Sequence, residues 1–225
     1  MHFLTDKLEF PPVSAANEYG MLAIGGDLST ERLLLAYKNG IFPWYSEGEP
    51  IVWYSPDERM VLFPDELKIS KSMRKILNKK AFKITHNKAF KEVIFNCKTI
   101  NRKEEFGTWI TDEMEEAYIN LHQLGIAKSI EVWQINTALS GSNQEGYKLV
   151  GGLYGLEIGT IFCGESMFSK VSNASKVAFI SLAALRSQND VNSCKYQLVD
   201  CQMYNDHLAS LGAREIERED FLKYL

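Results

Sequence analysis

No window of this 225-residue chain comes near the ~20 consecutive apolar residues that a membrane-spanning helix needs. The N-terminus, "MHFLTDKLEF", lacks the basic stretch and apolar run of a secretory leader. The only cysteines are Cys97, Cys163, Cys194 and Cys201, and none forms a C-x-x-C pair. That spacing argues against zinc binding and thioredoxin-like chemistry. It suits a cytoplasmic protein with reduced thiols, each behaving as a small buried hydrophobe. Internal repeats and low-complexity tracts are lacking too. Histidine is scarce: His2, His86, His122 and His207 are all there are, so a histidine-based triad has few candidates.

Positive charge is short overall, with a net charge of −4 that argues against general coating of nucleic acid. It is concentrated, however. "KISKSMRKILNKKAFK", residues 68–83, carries seven Lys or Arg and no acid. Solvated faces usually mix signs. A one-signed face on an acidic protein suits a phosphate-bearing partner held at one place, through Lys71, Arg74, Lys75, Lys79 and Lys80.

The first 60 residues read as a small N-terminal unit. Ser29 caps "TERLLLAYKNG" and Gly40 stops it. "GIFPWYSEGEPIVWYSPDER" follows, and Pro43, Pro50 and Pro56 forbid a long helix there. Its aromatics serve either as glue between units or as a stacking platform.

Residues 61–225 read as a second unit. A basic helix follows Ser70 or Ser72. Asn87 is placed as the cap of a helix with Phe90, Val93, Ile94 and Cys97 on one face. Thr111 caps "DEMEEAYINLHQLG", which has acids in its first turn and Gly125 at its end. Strands begin with "KSIEVWQI". "YKLVGGLYGL" and "GTIFCGES" flank a turn at Glu157, Ile158 and Gly159 and read as a hairpin. Asn173 caps another helix, and "YQLVDCQ" is a last strong strand. The order of elements predicts an α+β fold with an antiparallel or mixed sheet and flanking helices.

Strand alternation places Asp200 and Gln202 on one face, where a carboxylate and an amide grip one ligand group. An Asp inside a strand is disfavoured, which asks for a reason. Glu165 follows Gly164, so a backbone or a ligand comes close to it. Met167 and Phe168 supply apolar wall. A hydrolase elbow would read G-x-S-x-G, but Gly164-Glu165-Ser166-Met167-Phe168 lacks the second glycine. Only His207 lies near the Asp200 strand as a base for Ser166. An acetyl-CoA site would need a glycine-rich turn opening a helix, and "VGGLYGLEIG" runs from strand to strand.

The runs "GMLAIGGDLSTERLLLAYKNGIFPWYSEGEPIVWYSPDER", "GTWIT", "SIEVW", "LVGGLYG", "FCGESMFSKVSNASK" and "VDCQMYNDHLASLGAREI" cover most of the chain. Together they resemble the leucyl/phenylalanyl-tRNA–protein transferases. Loops 134–148 and 187–197 are longer than that likeness leads one to expect. The resemblance implies a small N-terminal domain followed by an acetyltransferase-like (GNAT-like) domain. It implies transfer of Leu or Phe, and less readily Met, from aminoacyl-tRNA to proteins with N-terminal Lys or Arg, which marks them for degradation. No cofactor and no metal are expected. The resemblance assigns Leu153, Met167, Phe179, Leu182 and Val199 to the pocket for the donated side chain, and Trp44 and Trp109 to the terminal adenosine. Such chemistry needs no covalent intermediate, because the ester is already activated. It needs a proton acceptor and a positioner for an amine whose free pKa is about 7.7–8.0. Asp200 accepts or holds the proton in this reading, Gln202 orients the reacting groups, and Glu165 helps hold the cationic end.

Overall fold

The computed structural model describes residues 2–100, 109–135, 146–188, 190 and 193–225. Much of the two longer loops, residues 136–145 together with 189, 191 and 192, lies outside the described residues, as do 101–108 and Met1.

The chain begins with strands β1 (His2–Leu4) and β2 (Met21–Gly25), helix α1 (Thr30–Lys38), and strands β3 (Phe42–Pro43) and β4 (Val52–Tyr54). These four strands form one sheet in the order β1-β2-β4-β3. Ser29 caps α1 as expected, its side chain accepting from the Arg32 amide.

Strand β5 (Glu58–Leu62) starts the larger sheet. After it come α2 (Lys71–Asn78), β6 (Lys83–His86), α3 (Phe90–Thr99), α4 (Asp112–Gln123), β7 (Ala127–Ile135), β8 (Tyr147–Ile158) and β9 (Ile161–Ser169). Then follow α5 (Ala174–Ala183), β10 (Leu198–Gln202), α6 (Asp206–Ala209), β11 (Arg214–Glu217) and α7 (Arg218–Leu222). Seven strands pair in the order β11-β5-β10-β9-β8-β7-β6. All the neighbours are antiparallel except β9 and β10, which run parallel. The fold is therefore α+β with two sheets, each of them mixed, because β1 and β2 also pair in parallel.

Ser70 caps α2 and Thr111 caps α4, each accepting from the amide three residues on. Asn87 does not cap α3. The helix starts later, at Phe90, and its cap residue Ala89 offers no side-chain oxygen. The buried Glu131 carboxylate takes the amides of Lys88 and Ala89 instead. A negative charge there also complements the helix dipole. Asn87 spends its side-chain oxygen on the Ser129 amide. Asn173 precedes α5 in a left-handed conformation, with no side-chain bond to the helix. The hairpin also turns later than the sequence suggests. Glu157 and Ile158 stay in β8, and Gly159 with Thr160 makes the turn, Gly159 at φ +57°.

Apolar residues alternate across the large sheet, so it has two packed faces. Ile161, Cys163, Val61 and Leu198 face a cluster that includes Phe90, Tyr118 and, from the N-terminal residues, Tyr37 and Trp53. Phe162, Met60, Leu62 and Val199 face a second cluster containing Ala178, Phe179 and Leu182 of α5. Gly151 lets α5 lie close, since a Cβ there would sit 2.5 Å from that of Ala174.

Candidate active site

Strands β9 and β10 pair only over Ile161–Cys163 and Leu198–Asp200. Beyond that point β9 runs on to Ser169 and β10 to Gln202 without pairing to each other. A cavity of about 590 Å³ opens where they part. Consecutive residues of both strands reach it: Gly164 to Ser169 on one side, Val199 to Gln202 on the other.

Each strand carries a bulge at this place. In β9 the register passes from Ser166 to Gly164 against neighbouring residues of β8, so Glu165 is the extra residue. In β10 the register against β5 passes from Asp200 to Gln202, so Cys201 is extra and Gln202 takes φ +63°. Bulges re-aim side chains and recur beside active sites. Asp200 and Gln202 therefore do not share a face by simple alternation, as the sequence suggests. The bulge brings both to the cavity.

Asp200 is fully buried and forms a two-pronged ion pair with Arg59 of β5: Nε donates to Oδ1 at 2.8 Å and Nη2 to Oδ2 at 2.7 Å. The guanidinium also lies 4.5 Å from the Phe42 ring and 4.8 Å from that of Phe221, and its Nη1 donates to the Gly40 carbonyl at 3.3 Å. Burial alone would pull the Arg59 pKa down, but the Asp200 charge and hydrogen bonds outweigh it and hold it above its ordinary value. Asp200 Oδ1 further accepts from the backbone N–H of Gln202 at 2.9 Å.

Gln202 in turn donates from Nε2 to Glu165 Oε1 at 2.9 Å. Tyr118 donates to Glu165 Oε2, also at 2.9 Å. Glu165 has its pKa pushed up to about 7, first by burial; hydrogen bonds from Tyr37 and Tyr118 and the Arg59 charge oppose that shift, and the Asp200 charge adds to it. Gly164 sits where the Asp200 carbonyl comes close, at 3.2 Å from where a Cβ would be. The glycine thus makes room for backbone.

Leu153, Met167, Phe179, Leu182 and Val199 all line the same cavity, and so do Trp44 and Trp109. Trp44 is 43% exposed, with its ring tilted against that of Tyr54. The five basic residues Lys71, Arg74, Lys75, Lys79 and Lys80 lie outside it. They belong to α2 and the two residues after it, where Met73 is the one buried residue of the helix.

A thiolate nucleophile does not fit. Burial and the Asp200 charge push the Cys163 thiol far above its ordinary pKa. His207 and Ser166 both line the cavity, but His207 Nε2 is buried with no hydrogen-bond partner, which does not describe a base poised on a hydroxyl. Ser169 accepts from the Ser175 amide at the start of α5 and donates to the Val171 carbonyl. Among the described residues no His, Cys, Asp or Glu cluster could hold a metal ion, and no helix is long and apolar enough to cross a membrane.

Sequence reasoning missed Arg59, Tyr37 and Tyr118. Arg59 carried a signal: a lone cation leading the apolar run "MVL" of a strand needs a buried partner. The tyrosines carried none, because each fits the apolar stripe of its helix.

The sequence matches the leucyl/phenylalanyl-tRNA protein transferase family over residues 61–225 and that family's N-terminal domain over residues 26–57. It is 62% identical to the leucyl/phenylalanyl-tRNA–protein transferase of Flavobacterium johnsoniae, over all of this chain and 99% of that one. It is 59% identical to the one from Flavobacterium psychrophilum, again over all of this chain and 99% of that one. The crystal structure of FemX resembles it in fold, with a TM-score of 0.50 at 10% identity, covering 84% of this chain and 66% of that chain.

Proposed function

The chain belongs to the leucyl/phenylalanyl-tRNA–protein transferase family, and on that premise we propose how its cavity works. The protein is an aminoacyl transferase. It moves Leu or Phe, and less readily Met, from a charged tRNA to the N-terminal amine of proteins beginning with Lys or Arg, and so marks them for degradation. It acts in the cytoplasm, and the larger sheet with its parting parallel strands is read as an acetyltransferase-like unit.

One observation supports this reading most: a single cavity has an apolar wall and, beside it, an ordered set of polar groups. Leu153, Met167, Phe179, Leu182 and Val199 hold the donated side chain. They discriminate weakly among near-isosteres, since a methylene is worth only ~1–3 kcal/mol. Trp44 and Trp109 hold the terminal adenosine by stacking. The basic face on α2 holds acceptor-stem phosphates, which are read by charge and shape.

The ester is already activated, so catalysis reduces to presenting a free amine at the carbonyl. Asp200 is tied to Arg59, and its contribution is to fix Gln202 through the backbone N–H and to supply negative potential. Gln202 orients the amine. Glu165, titrating near neutrality and facing the cavity, holds the acceptor's ammonium and takes its proton.

The test is direct. The protein is incubated with labelled Leu-tRNA and a protein whose first residue is Arg. Label at the acceptor's N-terminus is the expected result. Free labelled Leu without transfer would point to a hydrolase, and acetylation of the acceptor with acetyl-CoA would point to an acetyltransferase.

A further inference from the structure

We infer that Tyr37 and Tyr118 are positioning residues: their hydroxyls form a proton-donating chain from α1, through α4, onto Glu165, and this chain sets the pH at which Glu165 accepts a proton. The inference rests on the role given to Glu165 above.

Neither tyrosine lines the cavity, and both are fully buried. The Tyr37 and Tyr118 hydroxyl oxygens are 2.5 Å apart, and Tyr118 is 2.9 Å from Glu165 Oε2. A phenol has one proton. The carboxylate can only accept, so Tyr118 gives its proton to Glu165. Its oxygen is then free to accept, and Tyr37 must be the donor between them. The three groups thus point one way, toward the carboxylate. Gln202 donates to the other oxygen, so both oxygens of Glu165 are served.

Direction has a consequence. Every one of these donors favours the ionised form, against the burial that favours the neutral one. Charged and titratable neighbours come from each side: Asp200 of β10 and Arg59 of β5 across the cavity floor, Cys163 on Glu165's own strand, and the two tyrosines from α4 and α1. Asp200 and Arg59 neutralise each other as a pair. The thiol and both phenols are held far above their ordinary pKa values, so they stay neutral. Beside the Gln202 amide, the tyrosine chain is what remains to set the balance on Glu165. It starts on α1, so Tyr37 acts on the protonation of the cavity without lining it.

The experiment is a titration of the Glu165 carboxyl by ¹³C NMR in protein labelled with ¹³C-glutamate, the resonance being assigned by its loss in Glu165→Gln. Tyr118→Phe is expected to raise the midpoint by about one pH unit or more, the size of one lost charge-assisted hydrogen bond. Tyr37→Phe is expected to raise it by less, because Tyr118 still donates. The acid limb of kcat/KM for transfer should move upward with each variant. An unchanged midpoint in a folded Tyr118→Phe protein overturns the inference, even if activity falls, since packing loss would do that. If Tyr118→Phe fails to fold, Tyr37→Phe decides alone, and an unchanged midpoint there overturns it. Absence of aminoacyl transfer in the wild-type protein would sink the proposed function instead, and it would leave the titration readable.

Discussion

Asp200 shows how a residue's neighbours change what its substitution tests. Asn in its place keeps the shape and removes the charge, which from the sequence alone looks harmless to folding. In the structure it would leave Arg59 as a buried, unpaired guanidinium. Asp200→Asn is therefore expected to destabilise the fold by about 3–5 kcal/mol, measurable as a lowered urea midpoint. Turnover is expected to fall by about 10²-fold or more, because the oxygen that fixes the Gln202 backbone becomes that of a neutral amide and its negative potential is lost. Near-normal stability would mean that water screens Arg59. Glu165 gives a pH prediction. Its folded pKa of about 7 lies above the ordinary 4.5 of a glutamate. The folded state thus binds the proton more tightly than the unfolded state. Stability is full below about pH 4.5 and declines as pH rises through about 7, by up to about 3 kcal/mol. Glu165→Gln should remove that slope, so its stability advantage over wild type should grow between pH 5 and pH 8. Equal slopes in the two proteins would refute the raised pKa. In the apolar wall, Val199→Phe is expected to reduce Phe transfer more than Leu transfer, in competition assays with both charged tRNAs. An equal loss for both donors would return Val199 to ordinary core.

At the scale of elements, the proposed function divides between α2 and the paired strands β9 and β10. α2 is anchored by Met73 and exposes its cations, so its charge can be altered without loss of packing. Neutralising Lys71, Arg74 and Lys75 together should raise KM for aminoacyl-tRNA and flatten its dependence on salt, with kcat little changed. An unaltered salt slope would make the face mere solvated surface. The helices were largely legible in the sequence, because Ser29, Ser70 and Thr111 cap by local bonds that local sequence encodes. Asn87 misled, since the amides just before α3 are taken by Glu131, a residue distant in sequence. The strand faces misled for a similar reason. A bulge is a register event between two strands, and neither "GES" nor "DCQ" announces it. The cavity residues were nameable one by one; what joins them was not, because Arg59 and Asp200 lie 141 positions apart.

The whole molecule is tied together across its two sheets. Leu22, Leu33, Tyr37 and Trp53 share one apolar cluster with Val93, Ile110, Tyr118 and Leu121. A shared core predicts a single cooperative unfolding transition, with tryptophan fluorescence and far-UV circular dichroism tracing the same urea curve. Two offset transitions would show that residues before β5 unfold by themselves. Small, short strands such as β1 and β3 escaped sequence reading because two or three residues show no period. The parallel pairing of β9 and β10 escaped it because a parallel neighbour leaves no turn signature in the chain.

The insertion of β10 between β5 and β9 also has a meaning in time. β5 leaves the ribosome long before its partner. At ~5–20 residues per second, the 141 positions from Arg59 to Asp200 take roughly 7–30 s to synthesise. For most of that interval the cationic α2 has already been made, while Arg59 still lacks the Asp200 partner it has in the folded protein. On the proposed reading of α2, a growing chain attracts nucleic acid before it can act on it, since the cavity is complete only once β10 pairs between β5 and β9.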